Sequence, residues 1–392
     1  MSTNKKEEEK DIENFVLKEE KNPEKTNHKA KKKKKRIHKK NNSSESINIK
    51  LKFLTDLTND AFSSYKLDNV FIVFKSIDNI IYIIYANINN SIICLNLIDN
   101  KKICEVKNAH GTTITNFRYY FDKINERDLF LSISAQNNNI KVWGFSNMEC
   151  ILNIENIYDK GFLLSACFLT YNNQNFIITS NNGVLDNNFI KIYNFKGIYL
   201  REISESNRKT FFIDSYYDSK LNKIYIITGN SCYSTSYDYF EDKIYYKYFL
   251  IDDVSKNNYS DDFSKNNYSI IINDIEKATL MIDSAGVYIR IWNFHCNLLL
   301  KKIKIDYIVC GHIGKLSGIC LWDNRNIFVG YESGAILKLD LESKKIVKKL
   351  EQHKGPVVCI KTIIHRSYGK CLISKGSKRE QIKLWINKNS KI

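Results

Sequence analysis

The chain has 392 residues, 43% of them hydrophobic and 12% aromatic. That is enough apolar material for one large all-β domain or for two to three ordinary ones. Two prolines and fifteen glycines stand beside twenty-four tyrosines, with a visible excess of Asn, Ile and Lys. This composition favours β-segments joined by Asn-containing turns and argues against a helical bundle. The formal net charge of +17 predicts a surface tolerant of anionic neighbours.

Residues 1–46 are charged, poor in aromatics and end in NNSSES, the composition of a disordered tail. Acidic residues come first, then a basic run that includes Lys31, Lys32, Lys33, Lys34, Lys35 and Arg36. This run is a candidate nuclear import signal or anion contact, although an Asn- and Lys-biased chain also produces lysine tracts that serve no purpose. The opening MSTNKKEEEK lacks the apolar core of a signal peptide, and the strongest apolar stretch, 70–86, is broken by Lys75 and Asp78. The expectation is an intracellular protein, cytoplasmic or nuclear, with no membrane association.

From Ile47 onward the chain falls into short apolar runs with period-two alternation, separated by Asn, Asp, Gly or Ser clusters. That is the punctuation of an all-β domain, predicted to span 47–392. A strand of the form I-K-x-W or a relative recurs as NNNIKVWGF, NNFIKIYNF, GVYIRIWNF, GAILKLDLE and REQIKLWIN. Its anchors are Trp143, Tyr193, Trp292, Leu339 and Trp385, spaced by roughly 50, twice 50, 47 and 46 residues, slightly longer than the ~40 to 45 of a four-stranded propeller blade. The doubled gap hides a copy at 222–240, with Tyr237 and Asp238 in the anchor positions. It also holds a low-complexity loop insertion at about 252–269, where SKNNYS occurs twice. One period before Trp143 lies NNSIICLNL, preceded by IIYIIYA. The total is seven units.

These repeats resemble the WD-repeat β-propeller family, in which each unit ends a strand with Trp-Asp and a Gly-His pair lies some ~25 to 35 residues earlier. Gly311-His312 precedes Leu339-Asp340, Ala109-His110 precedes Trp143, and Gln352-His353 precedes Trp385. The resemblance implies a seven-bladed propeller of four-stranded antiparallel blades. It also implies that an acidic turn residue, the His and a strand Ser or Thr bond to the Trp indole and fix each blade internally. Asp follows the anchor at Asp238 and Asp340, whereas Gly144, Asn194, Asn293 and Ile386 stand there in other copies. The last unit lacks an outer strand, and the alternating segment INIKLKFL at 47–54 is predicted to fill that slot, joining the two ends of the chain.

For chemistry the sequence offers little. It has no nucleophile elbow, phosphate-binding loop, zinc-protease motif or dinucleotide fingerprint. Its seven histidines show no metal-ligand spacing, and its ten cysteines form no CxxC pair. No cofactor, metal or catalytic residue is therefore expected, and the cysteines read as small core residues. Trp322, outside the anchor set, is either an exposed partner contact or a cap on its blade. The resemblance implies a non-catalytic scaffold or adaptor, monomeric within a larger protein complex. The alternative is a nucleic-acid-associated propeller, in ribosome assembly or chromatin, that binds through its basic tail.

Overall fold

Turns set the punctuation. Among the described residues of the computed structural model, fourteen non-glycine residues have positive φ, and ten of them are Asn, from Asn79 (62°) to Asn297 (54°). Asn tolerates the left-handed region because its short amide bonds to the local backbone. A chain with few glycines therefore turns at asparagines.

The structure describes residues 51–56, 71–159, 161–182, 189–204, 210, 212–229, 233–249, 270–275, 278–285, 288–304, 316–331, 333–351, 353–377 and 380–387. The tail at 1–46 with its basic run, the insertion at 252–269, and Gly311 and His312 lie outside them. Among the described residues every regular element is a strand. β1 (Leu51–Asp56) comes first. The first blade holds β2 to β5 (Phe71–Lys75, Ile81–Ala86, Ile92–Asn96, Lys101–Val106), and the second β6 to β9 (Asn116–Asp122, Arg127–Ser134, Asn139–Gly144, Glu149–Ile154). The third holds β10 to β13 (Phe162–Tyr171, Gln174–Asn182, Phe189–Asn194, Tyr199–Ser204), and the fourth β14 to β17 (Phe212–Asp218, Lys223–Gly229, Tyr233–Asp238, Lys243–Phe249). The fifth holds β18 to β21 (Ile270–Ile275, Ala278–Ala285, Tyr288–Asn293, Leu298–Lys304), and the sixth β22 to β25 (Leu316–Leu321, Asn326–Tyr331, Ala335–Asp340, Lys345–Glu351). Last come β26 to β28 (Val357–His365, Gly369–Gly376, Ile382–Asn387).

The molecule is a β-propeller of small four-stranded antiparallel blades. Six blades are meanders of consecutive strands, and a composite sheet in the order β1-β28-β27-β26 joins the two ends of the described chain. The expectation of seven like units is thus met in part: six are contiguous, and the remaining sheet borrows its outer strand from the N-terminal side. β1 runs antiparallel to β28, with Leu51 opposite Asn387 and Asp56 opposite Lys383. The segment that fills the slot therefore extends two residues beyond the predicted 47–54, whose first four residues lie outside the described set.

Each blade is apolar on both faces because alternate side chains of a strand point opposite ways. In the second blade Leu129, Leu131, Ile140 and Val142 meet Leu163, Phe168 and Ile177 of the third. Phe117, Phe130 and Trp143 meet Ile72, Phe74 and Ile84 of the first. A sheet with two wet apolar faces would not be stable, so blades stack until the ring closes. Cluster follows cluster around it, ending where Phe71, Ile83 and Leu95 of the first blade pack on Cys371, Ile373 and Leu384 of the composite sheet. Arg118 on β6 reaches along the inner strands, donating to the carbonyls of Ala166 on β10 (3.3 Å) and Ile213 on β14 (3.0 Å).

Candidate functional site

Polar side chains that recur from blade to blade are the natural place to look for chemistry, and in two blades they form the same chain of bonds. In the second blade the Trp143 indole N–H donates to Ser132 Oγ at 2.7 Å. Ser132 Oγ lies 2.6 Å from His110 Nε2, and His110 Nδ1 lies 2.7 Å from Asn139 Oδ1. The Asn139 oxygen can only accept, so Nδ1 carries the imidazole proton and Nε2 accepts from the Ser132 hydroxyl. In the composite sheet Trp385 donates to Ser374 Oγ (2.7 Å), Ser374 Oγ lies 2.7 Å from His353 Nε2, and His353 Nδ1 lies 2.7 Å from Glu380 Oε2.

Serine, histidine and carboxylate in series are also the parts of a nucleophile-activating triad. Burial decides against that use of Ser374. Both serines are wholly buried, and each is already committed to the indole N–H that it accepts and the imidazole nitrogen that it donates to. Burial pushes the His110 ring down to about 4 and lowers His353, with Glu380 partly opposing the shift. Both rings stay neutral near neutrality, as the bonding direction requires. Glu380 is itself held below its usual range: burial works against this, but His353 and the backbone N–H groups of Lys354 and Gly355 outweigh it.

The third blade builds a related brace from other residues, in which the anchor Tyr193 hydroxyl reaches the Ile157 carbonyl (3.5 Å) and not the strand hydroxyl. Tyr158 takes the place of the histidine, its hydroxyl lying 2.7 Å from Thr179 Oγ1 and donating to the Phe189 carbonyl at 2.9 Å. Phe189 lies four residues before the anchor Tyr193 as Asn139 does before Trp143, and Thr179 pairs with the residue two before its anchor, Lys191, as Ser132 does with Lys141. In the sixth blade Leu339 packs in the anchor position against the fifth blade, with the apolar Val329 where the serine would be. The lysine of I-K-x-W is also occupied: Lys141 donates to the carbonyl of Ala109 (2.8 Å) and Lys191 to that of Ile157 (3.0 Å). Each carbonyl belongs to the residue just before His110 or Tyr158.

Where the residue after the anchor is Asn or Asp, it caps the turn to the outer strand. Asn194 Oδ1 accepts from Lys196 N and Ile198 N, and Asn293 Oδ1 from His295 N. Asp238 Oδ1 accepts from Phe240 N and Glu241 N, and Asp340 Oδ1 from Glu342 N and Ser343 N. The second oxygen explains the two aspartates. Asp238 Oδ2 meets Lys223 Nζ at 2.7 Å and Asp340 Oδ2 meets Arg325 Nε at 2.5 Å, so a carboxylate stands where a cation faces it.

Tyr237 and Trp292 are buried in their interfaces as anchors. Trp322 is 3% exposed, edge-on to Phe328 at 5.3 Å. Its reading as an exposed partner contact is therefore corrected; it caps its blade from within. Lys338 and Lys375 are buried despite their charge, and Lys375 Nζ donates to the Gly376 and Glu380 carbonyls at 2.6 Å each. Among the described residues no three His, Cys, Asp or Glu side chains converge as metal ligands, and no helix is long and apolar enough to cross a membrane.

One groove of about 970 Å³ opens between the first and second blades, lined by Tyr82, Cys94, Cys104, Asp128, Phe145 and Met148 among others. Its wall is aromatic, with Tyr82 4.7 Å and Phe74 4.9 Å from the Phe145 ring. Asp128 fastens the two blades there, accepting from Tyr119 Oη (2.7 Å) and from the backbone N–H of Ile77 (2.8 Å). On its floor Cys94 and Cys104 face each other across the β4/β5 ladder. The cysteines are thus not uniformly core residues: Cys94, Cys167, Cys320, Cys359 and Cys371 are buried, Cys104 is half-buried, and Cys150 and Cys296 are exposed. A scan against protein-family models matches none, and a search of curated proteins finds no match for the sequence.

Proposed function

We propose that this protein is a non-catalytic, WD-repeat-type scaffold of seven blades that docks other proteins on its outer surface and acts as one subunit of a larger complex. The observation that carries this reading is the division of labour among its side chains. The polar groups that repeat are committed to bonds inside the blades, whereas large apolar groups recur outside. Ile103, Ile151, Tyr199, Ile244, Leu298 and Val347 lie at least two-fifths exposed on the outer strands of the six contiguous blades. Single exposed apolar residues are ordinary; one on every outer strand supports a contact surface around the rim. Lysines interleaved on β5, β21 and β25 discourage those edges from pairing with one another.

The test is purification of the tagged full chain from its native cell, with and without nuclease, across a salt series. A scaffold retains stoichiometric protein partners through moderate salt and nuclease, and loses them when Ile103, Ile151 and Val347 are changed together to Glu while the thermal midpoint is unchanged. Retention that collapses with nuclease and falls steeply with salt would instead support the nucleic-acid reading, which the net charge of +17 motivates.

A further inference from the structure

We propose that Cys94 and Cys104 form a reversible dithiol–disulfide couple, in which the half-exposed Cys104 sulfur reacts first with a peroxide entering the groove and Cys94 then closes the disulfide. This inference is independent of the scaffold reading.

Three observations carry it. Cys94 on β4 and Cys104 on β5 are direct partners in the antiparallel ladder, next to a bulge that leaves Ile103 without an opposite residue. Such partners have Cα atoms about 4.5 to 5.5 Å apart, inside the range a disulfide spans without backbone movement. Both thiols are free, and both line the groove, Cys104 half-buried and Cys94 buried beneath it. The asymmetry between them is the third. The pairing of the two thiols lowers Cys104 from the ordinary thiol range against the effect of its burial, whereas the same pairing together with burial pushes Cys94 up. The more accessible thiol, which loses its proton more readily, and the buried thiol, which keeps its own, suit the attacking and resolving roles of a two-cysteine couple.

The atoms balance. The Cys104 thiolate attacks one peroxide oxygen, the O–O bond breaks, and hydroxide leaves to recover the proton that the thiol had lost, giving Cys104 sulfenic acid and water. The Cys94 sulfur then attacks the sulfenic sulfur, the S–O bond breaks, and a second water leaves with the Cys94 proton. Two electrons have passed from the thiol pair to the peroxide, and a small dithiol returns them by exchange.

One equivalent of hydrogen peroxide, added to the folded full-length protein and followed by alkylation and tryptic mapping, tests the couple. Trypsin cuts after Lys101 and Lys102, so the two cysteines fall in separate peptides. The expected result is the 103–107 peptide linked to the Cys94 peptide, lighter by two hydrogens than the reduced pair and released by dithiothreitol. Cys94→Ser should stop the reaction at Cys104 sulfenic acid, which dimedone traps, and Cys104→Ser should abolish both products. The exposed Cys150 and Cys296 are internal controls, expected to oxidise about tenfold more slowly. Absence of the 94–104 link in the wild-type map, or Cys150 or Cys296 reacting as fast as Cys104, would overturn the proposal whether or not the variants fold.

Discussion

Ser132 shows how much rests on one hydroxyl. It accepts from Trp143 and donates to His110, and all three side chains are buried. Ser132→Ala leaves an indole N–H and an imidazole nitrogen unpartnered, at an expected cost of about 2 to 3 kcal/mol, readable as a lower urea midpoint with an unchanged slope. His110 adds a pH dependence whose sign follows from its burial. The folded ring titrates at about 4, below the ordinary imidazole value of 6.5, so between these values the unfolded chain binds the extra proton. Stability is full above about pH 6.5, falls as pH drops toward 4, and levels below; the loss is on the order of 3 kcal/mol. Urea midpoints across that window should converge for wild type and His110→Gln if the ring is responsible. His110, Trp143, His353 and Trp385 were legible in the sequence as repeat positions, but Ser132, Ser374, Glu380 and Tyr158 were not. Serine is common in strands, and Tyr158 becomes visible only when the third unit is laid on the second by its anchor. Trp322 was ambiguous because a tryptophan before a polar turn looks the same from the sequence whether it points in or out.

At the scale of the element, the turn residues and the close approaches between strands carry the argument. Asn194 closes its turn by accepting two backbone N–H groups. Asn194→Ala should cost about 1 kcal/mol and Asn194→Asp far less, since either Asn or Asp can accept both. The comparison is direct in paired urea titrations. Gly330 on β23 lies so close to β26 that an added Cβ would stand 2.7 Å from Val357 Cγ1 and 2.8 Å from Val357 Cβ. Gly330→Ala is expected to destabilise by about 1 to 3 kcal/mol through overpacking, and Val357→Ala in the same chain should relieve part of that loss. The strands were readable because alternation and Asn-rich turns are local signals. What stayed hidden was the job of the residue after the anchor. The choice between Asp and Asn follows whether a cation stands at the start of the neighbouring strand, as Lys223 does, or just before it, as Arg325 does, and that pairing is not local in sequence.

For the whole molecule, the repeat spacing carried the architecture, and the missing outer strand of the last unit pointed to β1. The groove between the first two blades was not legible. Its residues come from segments spread over 77–148, and no motif marks a cysteine pair that is ten residues apart in sequence yet opposite in the ladder. Ring closure is the claim on which the shared cores, the braces and the rim all depend. It is tested most directly by comparing the urea unfolding of the full chain with that of a chain beginning at residue 57, which lacks β1. If β1 fastens the composite sheet, the shortened chain unfolds at a clearly lower midpoint, and the resonances of β28 and of the first-blade face packed on it shift while those of the third blade do not. An unchanged midpoint with an unperturbed β28 would contradict the account.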